Sequence, residues 1–376
     1  MQSFSTYADL LAHIRAGGYE YRTIGYAPGG RPLLAIATGG VETPAACVLS
    51  GSHANEHAGV MATVALLDEL TTERRVWIVP TRDPVGLDGY RAALALAGPS
   101  PKDLTTHDDV VAHLELAGDI TYEDPDSRFV LGLIGDYGYA SKPLQADGFL
   151  LQWLKELDAT DPAVLEPYYG RRIFTTVPDP SIDGAEAFSR AYTTVIRPDG
   201  LPLHLNRFFE DDWAPPECRA VRELFAAVDP GLTIDNHETG GVEDRSYVVC
   251  RPFDEPDRHA AAAQIGCNMA AAMVASGRSL ATDDDLLGGQ IKDVAHAAQQ
   301  PDDPFYSRAG PGAYWMDYAA TTPARGGEGP NAGDFAARHH GLAFDVETGM
   351  HTSLEARASA TVAAVQSALD TWEESL

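Results

Sequence analysis

Ala46-Cys-Val-Leu-Ser-Gly-Ser-His-Ala-Asn-Glu-His-Ala-Gly59 changes from a strand pattern to a helix pattern within a few residues. Cys47, Val48 and Leu49 form a short apolar run of the kind that makes a buried strand. Gly51 and Ser52 break it, and Val60, Met61, Val64 and Leu67 then recur at helical spacing. His53 and Glu56 therefore fall on a strand-to-helix turn. An imidazole and a carboxylate three residues apart on such a turn can face one metal ion, and both are ligand types that zinc accepts. With 12 histidines in the chain, one H-x-x-E by chance is about as common as not. The plain alternative is a surface histidine beside a glutamate that suits the helix dipole. The rest of the chain has to decide.

Outward from this turn the chain alternates strands and helices. Tyr7, Leu10, Leu11 and Ile14 mark a short amphipathic helix. Tyr21 to Ile24 and Leu33 to Ala37 read as strands joined through Pro28-Gly-Gly-Arg31. Val76-Trp-Ile-Val-Pro80 is a further buried strand, running into the turn-rich Thr81 to Gly89. Strand, helix, strand implies a parallel α/β core. From about 95 to 181 the character becomes acidic and turn-rich, with one clear helix at Phe149, Leu150, Trp153, Leu154 and Leu157. This stretch reads as an inserted subdomain, a lid or a decoration. Ala185 to Tyr192 reads as a helix, as do Pro215 to Ala227 and Ala260 to Ala275. Gly310 to Asp334 reads as irregular, and Val362, Val365, Leu369 and Trp372 mark a last helix. The expectation is α/β: a single three-layer α/β/α domain over 1–376 with a mixed, mostly parallel central sheet and an insertion at about 95–181.

Composition narrows the partners. The chain has 376 residues, 44% of them hydrophobic, enough for a sizeable core, and a formal net charge of −28. That charge argues against nucleic acid and anionic membranes, both of which need basic patches. Cys47, Cys218, Cys250 and Cys267 show no C-x-x-C spacing and read as small buried residues. No leader-like segment and no run of 18 apolar residues is present, so a cytoplasmic location is expected. Oligomeric state is left open.

Two further strand ends carry isolated polar residues. Leu232-Thr-Ile-Asp-Asn-His237 ends in a histidine, and Leu342-Ala-Phe-Asp-Val-Glu347 in a glutamate. In open α/β sheets, ligands gather at the carboxyl ends of strands. Two histidines and a glutamate are what a catalytic zinc needs, with a fourth position left for water. A nearby carboxylate can then take a proton from that water.

On these residues the sequence resembles the zinc metallocarboxypeptidase family, carboxypeptidase A-like in its bacterial branch. His53-Ala-Asn-Glu56 matches the family's first motif, and Asp235-Asn-His237 its third ligand. Val346-Glu347-Thr-Gly349 fits the place of the general base. Arg197, then Asn206, Arg207 and Phe209, stand at the spacing of the family's substrate-carboxylate motif. Asp83 to Tyr90 and Ile24 to Pro32 resemble two further family turns. The resemblance implies one zinc held by His53, Glu56 and His237, with Glu347 as base. It implies Arg197 beside the developing oxyanion, and Asn206 with Arg207 on a terminal carboxylate, where an arginine fork suits the geometry.

The chain departs from the family in places. His204 stands where an Asp usually precedes Leu-Asn-Arg, and Asn55 where digestive members carry an Arg. Tyr314 and Tyr318 are the nearest tyrosines to the family's mobile one. The expected substrate is a peptide or a small acyl amino acid with a free carboxylate, and the expected activity is removal of a C-terminal amino acid. Asn55 keeps a second reading open, a zinc deacylase of N-acyl amino acids like the aspartoacylase and succinylglutamate desuccinylase branch. Two rivals remain. His53-Ala-Asn-Glu-His57 also spells an inverted zincin motif, which belongs inside a helix. A peptide-binding domain without turnover would lack a ligand or the base, and this chain has both.

Overall fold

The computed structural model describes residues 4–101, 103–143, 150–176, 179–287, 306–317 and 328–376. In chain order its elements are α1 (Tyr7–Gly17), β1 (Glu20–Ala27), β2 (Arg31–Gly39), β3 (Glu42–Leu49), α2 (His57–Glu69), β4 (Arg74–Val79), α3 (Pro84–Leu87) and α4 (Tyr90–Leu94). There follow α5 (His107–Ala117), β5 (Asp119–Glu123), β6 (Val130–Ile134), β7 (Tyr137–Ser141), α6 (Leu150–Thr160), β8 (Arg172–Thr176), β9 (Ala191–Ile196) and β10 (Pro202–His204). The last third holds α7 (Pro216–Val228), β11 (Leu232–Thr239), β12 (Tyr247–Cys250), α8 (Pro256–Ala275), β13 (Ser307–Gly310), β14 (Ala313–Trp315) and β15 (Leu342–Gly349). Helices Ala332–His339 and Leu354–Glu374 flank β15 in sequence.

One mixed sheet runs β1-β2-β4-β3-β11-β15-β12-β14-β13. Its centre, β4-β3-β11-β15, is parallel throughout, and the antiparallel pairings lie outside it. Alternate residues of β3 feed opposite faces: Ala46 and Val48 join one core, Cys47 and Leu49 the other. That period of two is why a strand covered on both faces reads as an unbroken apolar run. Val60, Val64, Met269, Met273, Val365 and Leu369, from α2, α8 and helix Leu354–Glu374, cover the first face. Val221, Leu224, Phe225 and Ala336, from α7 and helix Ala332–His339, cover the second. The result is the three-layer α/β/α arrangement.

A second sheet runs β10-β9-β8-β7-β6-β5. It changes the reading of the middle of the chain in two ways. Ala185 to Tyr192 is not a helix: residues 185–190 turn, and Ala191–Ile196 is β9, buried along its whole length. The β-branched run Thr193-Thr-Val-Ile196 favours a strand, and pairing on both sides settles it. In addition, β8 pairs with β9, so the stretch 95–181 is hydrogen-bonded to strands beyond its own end. Arg172 on β8 reaches Glu217 on α7 with two bonds of 2.9 and 2.8 Å, both side chains buried, and fastens this sheet to the main layers. Gly310 to Asp334 is also not wholly irregular. Aromatic Tyr314 and Trp315 make β14 against β12, and helix Ala332–His339 begins before Asp334. Among the described residues no helix is long and apolar enough to cross a membrane.

Candidate metal centre

The turn after β3 is built on a tight crossing. Gly51 has φ +61, and a Cβ there would lie 2.7 Å from Thr81 Oγ1 and 3.0 Å from Thr81 Cα, so glycine is required. The Gly51 carbonyl accepts from the Asp83 amide at 2.8 Å, tying the ends of β3 and β4 together. Two residues later the chain closes a second turn, with the Glu56 amide donating to the His53 carbonyl at 3.0 Å. Ser50 Oγ donates to the Gly59 carbonyl at 3.0 Å and pins the first turn of α2. A Cβ on Gly59 would come within 3.1 Å of Asn236 Cβ, so the bare glycine lets α2 start close against β11.

These constraints bring His53, Glu56 and His237 together. Their ligand-type atoms all lie within 4.8 Å of one another, and all three side chains are buried. His53 Nδ1 is 2.6 Å from Glu56 Oε1, and His237 Nδ1 is 2.9 Å from Glu56 Oε2. Burial pushes the His53 imidazole below its usual pKa, against the pull of Glu56. Burial also opposes charge on Glu56, but His53 and His237 outweigh it and hold the carboxyl down at about 2. For His237 burial is overcome by Asp235 and Glu56, which raise it well above the ordinary value. Two imidazole nitrogens and one carboxylate, converging out of solvent, are a donor set that could hold a metal ion.

Groups around the cluster hold it in place. Asp235 Oδ2 lies 3.1 Å from His237 Nε2, while Arg82 Nη2 donates to Asp235 Oδ1 at 2.5 Å. Asn206 Nδ2 stands 3.3 Å from the same His237 nitrogen. Arg207 donates from Nη1 to Asn206 Oδ1, and from Nε to Glu328 Oε2 at 3.3 Å. Lys155, on α6, donates to the other Glu328 oxygen. Asn206 and Arg207 thus adjoin the cluster, and Arg207 already faces one internal carboxylate.

The other expected residues lie outside the three-residue cluster. Glu347 is half-buried on β15, directly paired in register with His237. Arg197 follows β9 and pairs with Asp199 at 3.0 Å and Asp211 at 3.9 Å, its side chain 29% exposed. Tyr314 is a buried aromatic packed on Tyr247 and Tyr306, its hydroxyl donating to the Ala281 carbonyl at 3.1 Å. Tyr318 lies outside the described residues. His57, the second histidine of the inverted motif, turns to Arg190 and Phe4 and is not part of the cluster. Sequence reading missed Asp235, Arg82 and Glu328 as supports, and Tyr192 altogether. His204 was noticed only as a departure, yet its Nδ1 lies 3.1 Å from His53 Nε2.

No family model matches the sequence, and no curated protein matches it. Solved structures are similar in fold at low identity. A candidate metallopeptidase from Shewanella denitrificans is 14% identical with a TM-score of 0.49, covering 96% of this chain and 87% of its own. A metallo-carboxypeptidase from Burkholderia cenocepacia is 11% identical with a TM-score of 0.46, covering 98% and 68%. A metallo-carboxypeptidase from Pseudomonas aeruginosa, solved with (2-guanidinoethylmercapto)succinic acid, is 13% identical with a TM-score of 0.45, covering 98% and 68%.

Proposed function

We propose that the chain is a zinc-dependent metallocarboxypeptidase that removes the C-terminal amino acid from peptides. The observation that carries this reading is the buried convergence of His53, Glu56 and His237. A zinc ion bound there supplies positive charge that polarises the scissile carbonyl and makes water easier to deprotonate. Glu347, beside His237 on the next strand, takes the proton from the attacking water and returns it to the leaving amine. Arg207 and Asn206 hold the substrate's terminal carboxylate, the arginine by its planar fork. Arg197 steadies the developing oxyanion, which requires it to leave its pairs with the acidic Asp199 and Asp211. The same reading treats 1–376 as one cytoplasmic catalytic domain carrying an insertion at about 95–181.

The test is hydrolysis of three matched substrate sets by zinc-loaded protein, followed by mass spectrometry. Peptides with free C-termini should lose one residue, and their amidated forms should not. Cleavage of N-acyl amino acids alone would replace this reading with the deacylase one. Full zinc loading with no hydrolysis of any set would leave a binding domain.

A further inference from the structure

Resting on the metal reading above, the two candidate histidine ligands differ in what stands behind them. The outer nitrogen of a ligating histidine ordinarily meets a carboxylate, a backbone carbonyl or water, and that partner fixes the ring and tunes its basicity. His237 has a carboxylate there: Asp235 Oδ2 is at ion-pair distance, 3.1 Å, from its Nε2, with Arg82 on the other oxygen and Asn206 Nδ2 3.3 Å from the same nitrogen. His53 does not. Its Nε2 faces His204 Nδ1 at 3.1 Å, an imidazole behind an imidazole. The rings stand edge to face, with centroids 4.9 Å apart and planes at 66°.

Tyr192 completes this arrangement. It lies stacked on the His53 ring, with centroids 5.3 Å apart and planes at 19°, and its hydroxyl is hydrogen-bonded to His204 Nδ1. Both residues come from the β9–β10 hairpin, whose register sets His204 opposite Thr194 and so carries its side chain toward Tyr192 two residues away. All three rings are buried: His53 is 7% exposed, His204 7% and Tyr192 3%. Nothing in the proposed turnover uses either residue, yet a buried polar pair costs stability unless it serves a purpose or is fully bonded.

We propose that His204, held by Tyr192, is the positioning residue for the metal ligand His53, and that it sets metal affinity lower than a carboxylate in its place would. The one in-plane lone pair of His204 Nδ1, shared between the His53 Nε2–H and the Tyr192 hydroxyl, keeps His53 oriented with Nδ1 toward Glu56. The His204 imidazole carries no negative charge, so it leaves His53 a weaker donor than a carboxylate partner would make it.

The experiment measures zinc dissociation constants by competition with a chromophoric chelator. The proteins compared are wild type, His204→Asp, His204→Gln and His204→Ala, with unfolding curves of each metal-free form. His204→Asp should bind zinc about tenfold more tightly, and His204→Ala about tenfold more weakly, the scale seen for outer partners of metal ligands. His204→Gln, which keeps a neutral acceptor, should stay near wild type. The absorption bands of the cobalt-loaded forms should shift in His204→Asp. Equal affinities for the glutamine and alanine variants would overturn the proposal even if His204→Asp did not fold. So would an aspartate variant that folds and binds no more tightly than wild type. A wild-type protein that binds no zinc would remove the metal reading itself, a different failure from these.

Discussion

His237 and Glu347 occupy directly paired positions on the adjacent parallel strands β11 and β15. Paired residues on neighbouring strands project from the same face of a sheet, so the candidate base and one candidate ligand rise side by side. On the other side of β15, Tyr247 pairs with the same Glu347 across an antiparallel ladder. The candidate base is thus placed by three strands rather than by a loop.

On the proposed reading this placement separates holding the metal from using it. Glu347→Gln should retain one equivalent of zinc while kcat falls by about a thousandfold, within the usual range for loss of a general base. Metal analysis and steady-state kinetics on one preparation check both halves.

Glu56 offers the only carboxylate in the cluster. Glu56→Gln should lower zinc affinity by at least about a hundredfold. His57→Ala should leave affinity unchanged, because His57 faces Arg190 instead. Zinc retained in the glutamine variant with turnover lost would favour the inverted motif over the arrangement proposed here.

Arg207 donates to Glu328, and this has a kinetic signature. Arg207→Ala should raise KM about tenfold or more for peptides with free C-termini, with little change in kcat, as expected when uniform binding is lost. Glu328→Gln removes an internal anion that shares the same guanidinium and should move KM the other way.

Asp83 ties pH to stability away from the cluster. Burial raises its pKa to about 6, although Thr193 Oγ1 and the Gly86 amide donate to it at 2.6 and 2.9 Å. In an unfolded chain the value is about 3.9, so the folded state keeps the extra proton between these two values. Its contribution is therefore greatest below pH 4, is lost as the pH rises, and levels off above pH 6. Asp83→Asn should match wild type at pH 4 and exceed it by about 3 kcal/mol at pH 8, read from urea unfolding.

Gly51→Ala should cost about 2 kcal/mol or more, since it combines a left-handed backbone with a Cβ 3.0 Å from Thr81 Cα. Because His53 follows two residues later, zinc affinity should fall along with the urea midpoint.

The cluster was legible in the sequence because each member interrupts an apolar pattern where the strand stops being core. Val48 and Leu49 give way to glycine and then to His53; Leu232 and Ile234 give way to Asp235 and His237. Both strands are covered on both faces, so their cores read as unbroken apolar runs and the polar breaks stand out. The supports were hidden for the opposite reason. Glu328 meets Arg207 across 121 residues, and Arg82 meets Asp235 across 153, separations that no local spacing reveals. Ala185 to Tyr192 carries apolar residues at helical intervals, and only the pairing of Ala191–Ile196 with β8 and β10 makes its last two residues strand. With Tyr192 placed in a helix, its contact with His204 is out of reach of the sequence.

The position of β15 also bears on the order in which the chain can fold as it is made. All three candidate ligands lie at or before residue 237, and β3 and β4 are available for β11 to pair with once that point is synthesised. β15 begins at Leu342, more than a hundred residues later, and must add along the open edge of β11 to bring Glu347 into line. Domains emerge from the ribosome in sequence, and contacts distant along the chain form late. On the proposed reading, the residues that would hold a metal are all synthesised before the strand that carries the candidate base, so β15 is the last part of the site to be added.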